Sequence, residues 1–312
     1  MDTNEKITRR QALKRMGATA VAAAVAVSGV SALTSCAGRR RKRVILYFTA
    51  TGNCLHIARE IADDDTELLS IPQLIKRDEY EIDADEIGIV YPIYGHMPPR
   101  MVRQFIAHAR LRAEYRFAVL TYGCRKCNAV EIWDDISRRT GNVFDYIATI
   151  VMVDNWLPNF DMTEEMKIDK HIPENLQRIA ADIAARRHWH EPVTEEERRM
   201  HEGFVAYAGL NPDEGFLMRS EKYFTVTDAC IGCGACTDVC PRGNYRLSAH
   251  GVETQGECDF CLACIHNCPQ RAILFAENRE DPLLGRGEVN PNARYRNENI
   301  SLMDIRRSNR CF

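Results

Sequence analysis

Residues 230–269 constrain this chain more than any other stretch. They carry CIGCGACTDVCP (230–241) and, after a short interval, CDFCLACIHNCP (258–269). Both copies follow C-x2-C-x2-C-x3-C-P, the spacing that holds [4Fe-4S] clusters in pairs. The short gaps let three thiolates of one tight loop cap one face of a cubane. The fourth cysteine, one helical turn further on, reaches the other cluster. Cys230, Cys233, Cys236 and Cys268 are therefore expected around one cluster, and Cys258, Cys261, Cys264 and Cys240 around the second. Zinc also accepts four thiolates, but its sites usually come as two separated CxxC pairs. Disulfides would leave the repeated spacing and the two prolines, Pro241 and Pro269, unexplained.

The same spacing is that of bacterial two-cluster ferredoxins, and Tyr223–Thr227, Gly251–Thr254 and Ala272–Phe275 read as short strands of such an α+β domain over 221–278. At 312 residues there is room for a second domain and a signal. The formal charge of -3 suggests neither nucleic acid as a partner nor an acidic tail. Of the 13 cysteines, eight belong to the repeat; Cys36, Cys54, Cys124, Cys127 and Cys311 show no framework spacing. Cys124 and Cys127 form a lone CxxC, which suits a redox pair or two free thiols in a loop.

Residues 1–36 read as an export signal. TRRQALK (8–14) resembles the twin-arginine motif, with Ala12 where Phe is commoner, and an Ala/Val-rich run follows from Met16 to Leu33. The run ends in Leu33-Thr34-Ser35-Cys36, which resembles a lipobox, so lipidation of Cys36 would tether the mature chain to a membrane surface on the extracytoplasmic side. The alternative is an uncleaved anchor helix, and a signal that does not function would leave the chain in the cytoplasm. The twin-arginine route carries folded, cofactor-loaded proteins, which agrees with the cysteine repeat.

From Arg43 the pattern alternates strand and helix. Short apolar runs at Arg43–Phe48, Thr66–Ile71, Glu86–Tyr91, Phe117–Thr121 and Ile147–Val153 predict five parallel strands, with amphipathic helices between them. One helix carries Met101, Val102, Phe105 and Ile106 on one face. This order predicts a doubly wound α/β sheet over 43–160 with ligand loops at the strand carboxyl ends. The loop Thr49-Ala50-Thr51-Gly52-Asn53-Cys54 feeds a helix N-terminus and so makes an anion site. Neither GxGxxG nor a P-loop lysine is present in it. Residues 161–220 read as a helical linker and 279–312 as a polar tail. Trp156, past the last strand, is placed to bury a hydrophobic junction or to cover the edge of a bound ring, the first being the favoured role.

The strand followed by TATGNC resembles the flavodoxin phosphate loop, T/S-x-T-G-x-T/S, with Cys54 where a hydroxyl residue is usual. That resemblance implies a flavodoxin-like domain with FMN, its phosphate on Thr49, Ala50, Thr51, Gly52, Asn53 and Cys54. The ring would lie between Tyr94 and Gly95 on one loop and Tyr122 and Gly123 on another. The whole order resembles the EFR1-type ferrodoxins, in which a flavodoxin-like domain precedes a two-cluster ferredoxin. The NARYRNENISL tail (292–302) is also similar to theirs. The likeness implies electron transfer with redox protein partners. A reductase passing hydride to a small substrate, with Tyr94, His96 or Tyr122 as proton donor, is the second reading. Structural clusters beside an empty binding module are the third.

Overall fold

The computed structural model describes residues 41–211, 223–249, 251–256, 258–275 and 287–310. The expected signal with Cys36, parts of the linker and of the tail, and Cys311 lie outside the described residues. Eight strands belong to the first part of the chain: β1 (Arg43–Tyr47), β2 (Thr66–Ser70), β3 (Glu81–Asp83), β4 (Glu86–Pro92), β5 (Arg110–Arg112), β6 (Tyr115–Tyr122), β7 (Tyr146–Val151) and β8 (Trp189–His190). Six of them form one all-parallel sheet in the order β2-β1-β4-β6-β7-β8, and β3 pairs with β5 apart from it. The first five positions are the 2-1-3-4-5 order of flavodoxin-like sheets, whose ligands bind beyond the strand carboxyl ends.

Strand composition explains the layering. Every residue of β1 after Arg43 is buried, as are most of β4 and β6, because helices cover both faces. Helices α1 (Asn53–Ile61), α2 (Ile71–Lys76), α3 (Arg100–His108) and α4 (Ala129–Arg139) do the covering. On α3, Met101, Val102, Phe105 and Ile106 are all buried, the face their spacing implies.

The segment expected as a linker folds onto the same sheet. After the short α5 (Met162–Glu165), α6 (Ile172–Ala184) buries Leu176, Ile179 and Ile183 in the sheet's core, and β8 then adds a sixth strand beside β7. A two-residue strand has no alternation to read, so the sequence signalled five strands. Glu191 fixes this edge, accepting from Thr149 N at 2.7 Å and from its hydroxyl. Helix α7 (Glu195–Ala208) starts at a capping box of Thr194 and Glu197.

The second part is small and α+β. Strand β9 (Phe224–Val226) pairs antiparallel with β12 (Ile273–Phe275), and β10 (Tyr245–Ser248) with β11 (Gly251–Thr254). Between them lie the one-turn helices α8 (Ala235–Val239) and α9 (Ala263–Asn267), one per cysteine repeat. The chain then returns to the first part, ending in α10 (Leu302–Asn309), capped by Ser301 and Asp304. Asn309 Nδ2 donates to Thr49 O at 3.1 Å and to Val239 O at 2.9 Å, tying the end of β1 to α8. Residues 40–312 form one compact unit. Among the described residues no helix is long and apolar enough to cross a membrane.

Candidate functional site

Each cysteine repeat winds through two left-handed residues, Gly232 (φ 65°) and Gly234 (φ 72°) in the first, Phe260 (φ 56°) and Leu262 (φ 57°) in the second. This winding turns successive thiols to one side of the loop. The structure brings Cys230, Cys233, Cys236 and Cys268 around one small cavity, walled otherwise by Ile231, Val252, Ala272 and Ile273. Cys233 is exposed and Cys230 and Cys268 half-buried. Cys240, Cys258, Cys261 and Cys264 form the second set, all buried. Burial raises the thiols of Cys258, Cys261 and Cys264, and their mutual proximity and that of Cys240 raise them further. We call the first set outer and the second inner.

The sulfurs are surrounded as thiolates would be. Backbone N–H groups of Phe260, Asn244 and Ala272 donate to Sγ of Cys258 (3.2 Å), Cys240 (3.3 Å) and Cys268 (3.2 Å). The Tyr245 hydroxyl donates to Cys264 Sγ at 3.4 Å. A single zinc ion would draw four sulfurs to about 2.3 Å from one point. The outer thiols line one small cavity, and the choice of cluster over zinc rests on the cysteine spacing.

At the carboxyl ends of the sheet lies a cleft formed by the loops after β1, β4, β6 and β7. In the first loop Gly52 (φ 101°) caps α1, and Thr49 Oγ1 is buried without a partner. Thr51 Oγ1 accepts from Asn155 Nδ2 at 2.6 Å. A buried hydroxyl lacking a partner beside a helix N-terminus fits a phosphate group. Cys54 Sγ instead lies 3.2 Å from Thr121 Oγ1, and burial pushes its thiol up to about 12.

The loop after β4 is a tight turn, Tyr94 N donating to Met97 O at 2.8 Å and Met97 N to Tyr94 O at 3.0 Å, with Gly95 and His96 both at positive φ. That is the geometry of a type I′ turn. After β6, Tyr122 and Gly123 line the cleft, and a Cβ on Gly123 would meet Asp154 Oδ2 at 2.2 Å, so only glycine fits there. The two loops present Tyr94 and Tyr122 along the cleft, with Gly95 and Gly123 beside them. Cys127 is buried, which raises its thiol; Cys124 is exposed at the surface, and partial desolvation with the neighbouring Asp154 carboxylate raises it.

The remaining wall comes from the cysteine-rich part: Phe260, Cys261 and Leu262 face the cleft. Burial, with Cys261 close by, pushes the Tyr94 hydroxyl well up. Trp156 sits at this junction with its ring 5.5 Å from Phe260. Helix α7 contributes Phe204, whose ring is 4.7 Å from His96.

A family model described as a 4Fe-4S dicluster domain matches residues 222–269. An uncharacterised ferredoxin of Methanocaldococcus jannaschii is 42% identical over 56 residues, 15% of this chain and 69% of the relative. Through this domain the chain belongs to the 4Fe-4S dicluster ferredoxins. The ferredoxin domain also matches one component of an ion-translocating oxidoreductase complex of Methanosarcina acetivorans, 44% identical over 45 residues, 14% of this chain and 17% of that protein. A ferredoxin-like protein in the nif region of Trichormus variabilis is 35% identical over 49 residues, 15% of this chain and 42% of its own length. The chain thus spans less than half of these two relatives.

Among solved structures, Megasphaera elsdenii flavodoxin is similar at 19% identity, with 45% of this chain and 98% of that one covered and a TM-score of 0.31. A Lactobacillus acidophilus flavoprotein in complex with FMN is similar at 17% identity, covering 35% and 93%, with a TM-score of 0.26. Scores this low carry no weight, and the flavodoxin-like fold rests on strand order and parallel pairing. Sequence reasoning missed the side of the ferredoxin domain that meets the cleft. The signal was present: positions that are glycine in the first repeat are Phe260 and Leu262 in the second. It also missed Tyr245 as a donor to sulfur.

Proposed function

We propose that the chain is an electron-transfer iron–sulfur flavoprotein, of the EFR1-type order, relaying electrons between FMN in the cleft and two [4Fe-4S] clusters. The observation that carries this reading is the shared wall: Cys261, an inner-set thiol, lines the cleft between Phe260 and Leu262. Bound FMN would exchange electrons in pairs with a donor or acceptor and singly with an iron–sulfur centre. Thr49 and the backbone donors at the start of α1 would hold the phosphate, and the loops at Tyr94–Gly95 and Tyr122–Gly123 the ring. Phe260 and Leu262 keep water from the gap between the ring and the inner set. The outer set, with Cys233 exposed and Ile231 66% exposed beside it, gives the relay its outlet to a redox protein. Export and lipidation at Cys36 would place that outlet on the extracytoplasmic face of a membrane.

Anaerobic purification of residues 37–312, with flavin, iron and sulfide counted and the spectrum titrated with dithionite, tests the reading. One FMN with iron and sulfide for two [4Fe-4S] clusters is expected; clusters without flavin would remove the flavin half. A second reading, an FMN-dependent reductase of a small substrate fed by the clusters, draws on Phe204 and His96, which also line the cleft. Flavin reoxidation by a small molecule, without a protein acceptor, would favour it.

A further inference from the structure

Tyr295 and Asn297, in the tail after the ferredoxin domain, make three hydrogen bonds to the candidate phosphate loop, yet they do not line the cleft. Asn297 N donates to Thr51 O at 2.9 Å. Carbonyl and N–H of one trans peptide point in opposite directions. Holding Thr51 O to the tail therefore turns the Gly52 N–H away from it, as an anion site requires. Asn53 Oδ1 accepts from both the Tyr295 hydroxyl and Asn297 Nδ2, which leaves the Asn53 amide nitrogen directed to Val153 O at 3.4 Å. Ile300 closes the outside of the turn: a Cβ on Gly52 would lie 2.9 Å from Ile300 Cβ.

The tail is itself anchored on the cluster-bearing part. Tyr295 N donates to His266 Nδ1 at 3.1 Å, and Arg294 Nε to Ile265 O at 3.2 Å, both on α9 between Cys264 and Cys268. His266 Nε2 in turn lies 3.0 Å from Asn155 O, whose side chain holds Thr51. The phosphate loop is thus held from behind by a strut standing on α9.

We propose that Tyr295 and Asn297 are positioning residues for the phosphate loop and set how strongly the cleft holds the phosphate of a flavin. This rests on the flavin reading above. Neither residue touches the cofactor; each fixes the loop that does. Their effect falls on the phosphate-dependent share of the affinity, which separates this role from general support of the fold.

The test is titration of the cluster-loaded protein with FMN and with riboflavin, which lacks the phosphate, followed by flavin fluorescence. Asn297→Ala keeps the backbone bond to Thr51 O and removes the Nδ2 donor to Asn53 Oδ1, and should weaken FMN binding by about threefold to tenfold, the scale of one hydrogen bond. Riboflavin binding and the iron and sulfide content should be unchanged. Tyr295→Phe, which keeps the ring and removes one donor, should weaken FMN by about threefold to tenfold. FMN affinity unchanged in both variants, or equal losses for FMN and riboflavin, overturns the proposal while leaving the flavin reading intact. Wild-type protein that binds neither flavin overturns both.

Discussion

In the first cysteine repeat the two left-handed positions are Gly232 and Gly234; in the second they are Phe260 and Leu262, with φ within about 16° of the glycines. A bulky residue in that region costs about 1–2 kcal/mol relative to glycine. The first repeat avoids the cost, lies at the surface and leaves Cys233 exposed. The second accepts it and gains two side chains that are 2% exposed. Phe260 stacks on Phe224 at 5.3 Å and meets Tyr223, Phe275 and Trp156, while its other side closes the cleft. Burial of a phenylalanine contributes about 1.5–3 kcal/mol, so the strain is offset where an apolar wall is wanted. One backbone thus serves two surroundings, one opening on solvent and one on the cleft.

The sharpest way to break this comparison is to remove one ligand from each set. On the proposed relay, Cys261→Ala should abolish an inner cluster and disconnect FMN from an outer one, seen as loss of about half the iron and of dithionite-independent electron exchange between flavin and cluster. Cys233→Ala should leave exchange between flavin and the inner cluster in place. Equal behaviour of the two variants would erase the distinction between inner and outer.

A smaller effect follows from exchanging what the left-handed positions carry. Phe260→Gly should relieve strain but open a core cavity, destabilising by about 2–4 kcal/mol net in chemical denaturation. Gly232→Ala, with nothing within 4 Å of the added Cβ, should cost only about 1 kcal/mol.

Smaller again is the tuning of the inner set by Tyr245. Tyr245→Phe removes a donor to Cys264 Sγ and should lower the inner cluster's potential by a few tens of mV in a spectroelectrochemical titration. The outer cluster should hold its potential.

The ring side of the cleft offers a pH test. Burial, with His201 and Arg125 nearby, lowers His96 to about 4. Below about pH 6.5 the unfolded chain takes up a proton that the folded chain refuses, so stability falls as pH drops toward 4. Between pH 7 and 5 the loss from this group should be about 2 kcal/mol, seen as a lower melting temperature. His96→Asn should remove this group's share of the slope.

Much of this could be read in the chain beforehand, for identifiable reasons. Buried parallel strands such as Val44–Phe48 are continuous apolar runs, and α3 shows its face through Met101, Val102, Phe105 and Ile106. Strand β8 escaped because two residues carry no period, and β10 because Tyr245–Ser248 has only one buried member. The cysteine spacing implied two groups of four. Which group faces the cleft depends on how the two parts pack, which no local pattern encodes. Cys54 occupies a phosphate-loop position in sequence, yet its thiol pairs with Thr121 across the core. Tail residues such as Asn297 read as polar surface because their partners lie in the first folded loop.

The bond from Tyr295 to Asn53 spans 242 residues. At about 5–20 residues per second on the ribosome, the phosphate loop emerges on the order of 10–50 s before the tail residues that hold it. The first sheet strand must therefore wait for nearly the whole chain before its ligand loop acquires its backing. During that interval both cysteine repeats have already been made. Translation itself therefore sets an order of assembly in which the last contacts to form complete the first loop to fold.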